Sequence, residues 1–299
     1  METILTTSAS GAAAAAPAPT LARNPLVPLV ATIEKVIDET DSGSVRNFLV
    51  RLDDPAAHEA ISYRPGQCGM ISVIGVGESM IALASTPTHK GPLEFAVKAA
   101  GRNTNALHEM KAGQKVGVRL AYGNGFDTEA MKGKDLIFVG GGIGMSGLRS
   151  LINYCLDRRG DFGRLTVVYG ARSPGELCFK EDIFENWPKA PGIDVNLTVD
   201  VGDDQWKGPV ALIPPYLESL NPSPQGSLVV VCGPPVMIRF TLLSLAKLGF
   251  TDEQIIMTLE LKMQCGIGKC GRCNIGSKYV CLDGPVFTLA ELKRLPNEY

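Results

Sequence analysis

The chain has 299 residues, 45% hydrophobic and 20% charged, with a formal net charge of -2, enough for two sizeable domains and ordinary for a globular protein. That charge leaves no basic footprint for nucleic acid and no polybasic patch for a membrane surface, and no stretch reaches the roughly 18 apolar residues of a membrane span. Eight cysteines, four of them in one short segment, argue for a reducing, cytoplasmic compartment over a disulfide framework.

Residues 1–24 are rich in Ser, Thr, Ala and Pro, with a low-complexity run from Gly11 to Pro19. The only charge before Arg23 is Glu2, so the positive n-region of a signal peptide is missing and a disordered tail is expected. Residues 25–130 read as strands. Phe48, Val50 and Leu52 alternate with polar residues, as do Leu93, Phe95 and Val97, then Val116, Val118 and Leu120, with turns at Arg64-Pro-Gly and Lys111-Ala-Gly. An antiparallel β-barrel follows from this pattern. Across residues 131–260 buried apolar strands alternate with amphipathic helices. Strands are expected at 135–139, 165–169, 195–199, 228–231 and 255–259, with helices at 148–158 and 236–248, so this part reads as an α/β doubly wound nucleotide domain. Residues 261–299 form a small third unit at that sheet's edge.

Three motifs carry chemistry in the α/β part. Gly140-Gly-Gly142-Ile-Gly144-Met-Ser-Gly147 ends a strand and opens a helix; its glycines let backbone approach a pyrophosphate, and the helix start offers unpaired N–H groups. Val229-Val-Val-Cys232-Gly233-Pro234-Pro235 ends a later strand, where open α/β sheets place ligands. Cys232 reads either as a pocket wall against a nicotinamide ring or as a small buried hydrophobe. Tyr169-Gly-Ala-Arg172-Ser173 places an Arg and a Ser where an acid normally holds an NAD ribose, which leans toward NADP(H) over NAD(H), a solvated Arg being the alternative.

The C-terminal segment reads Met263-Gln-Cys265-Gly-Ile-Gly-Lys-Cys270-Gly-Arg-Cys273, with Cys281 following. This C-x4-C-x2-C spacing with a returning cysteine is the plant-type ligand pattern of a [2Fe-2S] cluster. Four thiolates also suit zinc, but zinc ribbons present two C-x2-C pairs and here the first gap is four residues. His89 and His108 have no partner at ligand spacing.

From Pro25 to Phe287 the order of barrel, Gly-rich motif, Cys-Gly-Pro-Pro loop and cysteine segment resembles the ferredoxin-NADP reductase superfamily. The branch it is most similar to contains sulfhydrogenase (NiFe-hydrogenase) gamma subunits, the corresponding subunit of anaerobic sulfite reductase and the electron-transfer subunit of dihydroorotate dehydrogenase. The resemblance implies a β-barrel flavin domain holding FAD along Ile81–Pro87, with Ala82, Leu83, Ala84 and Ser85, and at a pyrophosphate segment with Gly101 and Thr104. The chain departs from the family at Ser79 and Ala82, which leaves FMN open. It further implies that NAD(P)H gives a hydride to the flavin and that single electrons then pass to the cluster, with no residue acting as a separate catalytic group. The partner implied is a larger oxidoreductase, such as a hydrogenase or reductase catalytic subunit with its iron-sulfur subunit, met near Tyr279, Val286 and Phe287, whose alternative role, for Phe287 above all, is packing of the cluster loop onto the reductase core. A free-standing ferredoxin reductase and a zinc-stabilised, non-enzymatic interaction subunit are the alternatives.

Overall fold

Alternating apolar residues in the first third of the chain become six strands, β1 (Leu29–Asp38), β2 (Val45–Leu52), β3 (Cys68–Val73), β4 (Gly77–Ala82), β5 (Leu93–Lys98) and β6 (Lys115–Tyr122). In this computed structural model, which describes residues 24–296, they pair antiparallel in the order β4-β3-β6-β1-β2-β5. The expected N-terminal tail lies outside the described residues apart from Asn24. Past the end of β4 the Ala84 amide donates to the Glu94 carbonyl on β5 at 2.9 Å, which brings the two edges of the sheet together. The inward side chains, among them Phe48, Ile71, Phe95 and Val118, are fully buried. Two short helices lie in the connections: α1 (Pro55–Glu59), capped by the Asp54 carboxylate, and α2 (Arg102–His108).

The second sheet contains β7 (Asp135–Gly141), β8 (Leu165–Ala171), β9 (Ile193–Val199), β10 (Ser227–Cys232) and β11 (Ile255–Thr258), all parallel. Apart from the edge strand β9, which alternates apolar and polar residues, these strands read as largely apolar runs because helices cover both faces: α3 (Met145–Asp157), the short α4 (Trp187–Lys189), α5 (Ile213–Leu220) and α6 (Pro235–Lys247). From β7 the chain adds β8 and β9 on one side, then crosses to add β10 and β11 on the other. The strand order therefore reverses between β7 and β10, where such sheets open a crevice at their carboxyl ends.

The last segment does more than sit at the edge of that sheet. After the cysteine loop come a small hairpin of β12 (Asn274–Ile275) and β13 (Lys278–Tyr279) and the turn α7 (Val280–Asp283). The chain then returns as β14 (Val286–Thr288), which pairs antiparallel with β11, and ends in α8 (Leu289–Leu292). The three-residue β14 is too short to announce itself by periodicity. Its pairing buries Val286 and Phe287, at 8% and 4% exposure, so neither is available as the surface contact expected from the sequence; Tyr279 is half-buried.

The two sheets are joined by a buried charge cluster. Arg149 on α3 pairs with Glu94 of β5 at 2.9 Å and with Asp182 at 2.5 Å, donates to the Ala84 carbonyl, and lies over the Phe179 ring at 4.9 Å. Burial works against its charge, but the two carboxylates outweigh this and raise its pKa. The adjacent Ser150 hydroxyl donates to the Ser85 carbonyl at 2.6 Å. Removing one member of such a cluster strands the others without a counter-charge, at a cost of about 3–5 kcal/mol. Arg149→Met should therefore lower the thermal midpoint strongly, whereas Lys189→Met, which breaks an exposed pair with Glu185, should leave it nearly unchanged; parallel melting curves check the contrast.

Candidate functional site: a nucleotide crevice beside four cysteines

Two strand-to-helix turns build the crevice. Cys232 at the end of β10 lies in register with Gly140 of β7, so the Gly-rich turn and the Cys-Gly-Pro-Pro turn leave the sheet side by side. A Cβ on Gly144 would stand 2.5 Å from the Cys232 carbonyl oxygen and 2.7 Å from the Gly233 Cα, so the two main chains touch and only glycine fits. Gly142 differs: its φ is +52° and a Cβ there would meet nothing within 4 Å. Gly140 and Gly144 thus serve the packing of the turn, and Gly142 borders open space at the start of α3.

Cys232 is buried, which pushes its thiol up to about 12, with the Thr258 hydroxyl drawing it back only slightly. Thr258 Oγ1, at the carboxyl end of β11, is itself buried, with no hydrogen-bond partner other than this thiol. A neutral thiol and a buried hydroxyl that has only that thiol beside it suit an uncharged, amide-bearing ring such as nicotinamide. Gly233 is half-buried and Pro234 exposed at the start of α6. Arg172 follows β8 and is exposed, with no hydrogen bond or ion pair from its guanidinium among the described residues. Beside it stands Asp200, since the Asp200 amide donates to the Ala171 carbonyl and the Val201 amide to that of Arg172. Asp200 belongs to no motif; the one sign of it in the sequence is an acid directly after the alternating strand β9.

In the barrel, Ser79 to Ala82 form the half-exposed part of β4, while Leu83, Ala84 and Ser85 turn inward. Leu83 joins the barrel core, and Ala84 and Ser85 present their carbonyls to Arg149 and Ser150. The Ser85 hydroxyl is engaged with Tyr63 at 2.9 Å and the Glu94 amide at 3.2 Å. Gly101 precedes α2, and the Thr104 hydroxyl accepts from the Ala100 and Gly101 amides at 3.0 and 2.8 Å. That hydroxyl also donates back to the Gly101 carbonyl, so it organises its own turn. Asn103 links α2 to β4 through Ser79 Oγ at 3.0 Å, which sets the start of α2 against the half-exposed edge of β4. Ser79–Ala82 and the first turn of α2 thus lie side by side at the edge of the barrel.

The cysteine loop is wrapped by backbone donors. Cys265 Sγ accepts from the amides of Ile267, Lys269 and Cys270 at 3.3–3.4 Å, and Cys281 Sγ from Gly268 at 3.2 Å. Burial pushes the Cys265 thiol up, but these amides outweigh it and bring it down to about 6. Cys281, buried against Cys273, is pushed up to about 12. Cys270 bears on Cys265, and both Cys273 and Cys265 bear on Cys281, so the four sulfurs are neighbours on one loop. Among the described residues no group of three or more His, Cys, Asp or Glu is disposed to hold one metal ion. Cys270 is exposed and Cys273 and Cys281 are buried, so one side of the loop faces outward.

The loop is fastened to the barrel. Arg119, only 5% exposed, donates to the Cys265 carbonyl at 3.1 Å and pairs with Glu78 at 2.6 Å. Asn124 spans to Asp283 and Val286, and the Gly123 amide donates to the Cys281 carbonyl at 3.1 Å. Neither Arg119 nor Asn124 carries a motif, and the sequence gives no sign of their role.

Crevice and cysteine loop together define a nicotinamide-nucleotide oxidoreductase with an iron-sulfur segment. The family described as Oxidoreductase NAD-binding domain matches residues 138–242, and the Iron-sulfur cluster binding domain of dihydroorotate dehydrogenase B matches residues 260–293. The chain is 36% identical to the Sulfhydrogenase 1 subunit gamma of Pyrococcus furiosus, over 84% of this chain and 87% of that protein. It is 33% identical to the "Probable dihydroorotate dehydrogenase B (NAD(+)), electron transfer subunit" of Thermococcus kodakarensis, over 86% and 95%. In fold it is similar to an NADH-dependent reduced ferredoxin-NADP oxidoreductase, with a TM-score of 0.70, 21% identity and 92% and 91% of the two chains covered. A ferredoxin NADP+ reductase from Neisseria gonorrhoeae with bound FAD and NADP gives a TM-score of 0.64 at 16% identity, covering 76% and 96%. The chain belongs to the family of sulfhydrogenase gamma and dihydroorotate dehydrogenase B electron-transfer subunits, on a ferredoxin-NADP reductase-like fold.

Packed and exposed positions of the crevice should separate by substitution. Gly144→Ala drives a Cβ into the Cys232 main chain and should destabilise by about 1–3 kcal/mol. Arg172→Ala, at an exposed side chain, should leave the unfolding midpoint in urea unchanged; denaturation curves of the two variants check this.

Proposed function

We propose that this chain is the nicotinamide-facing diaphorase subunit of a larger oxidoreductase, a hydrogenase or reductase in class, carrying FAD in the barrel groove and a [2Fe-2S] cluster at Cys265, Cys270, Cys273 and Cys281. The backbone amides turned onto the Cys265 and Cys281 sulfurs, in a C-x4-C-x2-C loop with a returning cysteine, carry this assignment. The amides around Cys265 and Cys281 are the donors that stabilise thiolate charge on such a cluster. When bound, flavin and cluster supply the step from hydride to single electrons. The chain's own residues position them: Gly142 leaves room at the start of α3, Cys232 and Thr258 line the ring end, and Arg119 and Asn124 hold the cysteine loop on the barrel.

Arg172 offers a cation to a 2′-phosphate, while the neighbouring Asp200 carboxylate opposes that dianion and can accept from a ribose hydroxyl, so both NADH and NADPH are assigned as donors. Three units follow: a flavin barrel over residues 25–130, a nucleotide domain over 131–260 and a cluster segment over 261–299. All eight cysteines are unpaired thiols, which supports a cytoplasmic setting. Among the described residues no helix is long and apolar enough to cross a membrane. Cys270 is exposed and Leu282 beside the loop is 53% exposed, which supports an outlet to a catalytic partner on this side.

Protein prepared anaerobically should contain iron and acid-labile sulfide in equal amounts and release FAD on acid precipitation. Zinc with no sulfide would remove the cluster, and flavin absent even after reconstitution would remove the barrel's role. Gly142→Val should keep the flavin and the iron but lose reduction by NADH and NADPH, because a branched side chain enters the space left for the phosphates. Wild-type nucleotide affinity in that variant would displace the nucleotide from this crevice.

A further inference from the structure

We propose that Tyr169 is a positioning residue for the dinucleotide, turning the Gly142 carbonyl away from the phosphate-binding side of the Gly-rich turn; this rests on the nucleotide assignment above. Tyr169 lies in the middle of the parallel sheet, in register with Gly140, and is 0% exposed. An aliphatic residue would fill such a position without bringing a hydroxyl that needs partners. Here the hydroxyl has two. It donates to the Gly142 carbonyl at 3.0 Å and accepts from the Cys178 amide at 2.9 Å.

Gly142 is the residue whose φ of +52° sets the course of the turn. A peptide unit held this way directs its carbonyl, the negative end of its dipole, down into the protein. An anion arriving at the start of α3 then meets N–H groups and not a carbonyl oxygen. The half-buried Gly142 carbonyl also accepts from the Met145 amide, so the tyrosine hydroxyl is the bond that holds this oxygen from beneath; without it one bond is left, and the oxygen is freer to turn outward, where it repels phosphate.

The second hydrogen bond extends the same control toward the barrel. Cys178 is followed by Phe179, a non-glycine residue at φ +56° whose amide donates to Glu39 Oε2 at 2.5 Å. Glu39 follows β1, so an unbroken path runs from the barrel through the 178–179 segment and Tyr169 to Gly142. The conformation of the nucleotide turn is therefore set from beneath, by groups that never touch the nucleotide.

Tyr169→Phe keeps the ring and removes only the hydroxyl. With the holoprotein and artificial dyes as acceptors, the KM for NADH and NADPH and the Kd for ADP-ribose should each rise about tenfold, the effect of one lost buried hydrogen bond. kcat at saturating nucleotide and the flavin absorption should stay at wild-type values. Glu39→Ala, which loosens the far end of the path, should change affinity in the same direction by a smaller factor. A Tyr169→Phe protein that melts earlier but binds ADP-ribose as the wild type does would make the hydroxyl merely structural and overturn the proposal. Failure of the wild-type protein to bind ADP-ribose would instead remove the nucleotide assignment, and this role with it.

Discussion

The contact between the turn after β7 and the turn after β10 is the constraint on which the rest of the molecule depends. Parallel strands stand about 4.8 Å apart, and both turns leave the sheet on the same edge at the point where strand order reverses. They can do so only if one of them has no side chains in the way. Gly144 against Cys232 and Gly233 meets that demand, and its consequence is a narrow opening lined by main chain. Main chain supplies N–H donors with no side-chain bulk, so the same packing rule that lets the sheet close also creates a surface fitted to phosphates. Stability and ligand fit are here one geometric fact.

A crevice of this kind is useful only if the barrel is held at a fixed distance from it. The seam achieves this with charge. Arg149 reaches from α3 to Glu94 of the barrel and to Asp182 of its own domain, and Ser150 on the next position fixes the Ser85 carbonyl. Exposed pairs, such as Lys180 with Asp41 at 2.6 Å, border the same seam and add little by themselves. Hydrophobic contact alone would let the two domains slide; directional bonds from adjacent residues of one helix do not. The carbonyls that receive these bonds belong to the segment directly after β4, so the seam also fixes the groove where β4 meets α2.

The large divisions of the fold were legible in the chain because they depend on patterns the backbone imposes. A period of two in residues 48–52 and 93–97 and apolar runs at 135–139 and 228–231 follow from one-faced and two-faced burial. The cysteine spacing and the glycine turn were legible for the same reason, as local geometry written in consecutive residues. What was not legible depends on distant pairs. Val286 and Phe287 looked like surface contacts because nothing local predicts that a three-residue strand returns to β11. Asp200 gains its meaning only from Arg172 across a strand pair, and Arg119 only from a carbonyl 146 positions later. Ala84 and Ser85 belong to the strand the resemblance pointed to, but their orientation inward is decided by Arg149 and Ser150, which no local pattern connects to them.

The fastening of the cysteine loop follows the same logic of long-range bonds and decides what kind of unit the last segment is. A loop of four cysteines and several glycines has little apolar surface of its own to bury, so it cannot be ordered by hydrophobic packing. Its order comes from the barrel. The buried Arg119 guanidinium, neutralised by Glu78, bonds the Cys265 carbonyl at the entrance of the loop. Gly123 and Asn124 bind Cys281, Asp283, Gly284 and Val286 at its exit. Both ends of the loop are thus tied to the strand end of β6, while β14 ties the chain beyond it to the nucleotide sheet. A segment held by both sheets cannot shift without disturbing each of them. The cysteines are thereby kept at a fixed separation from the β4–α2 groove and from the crevice, the condition an electron carrier must meet if its neighbours are to reach it on every turnover.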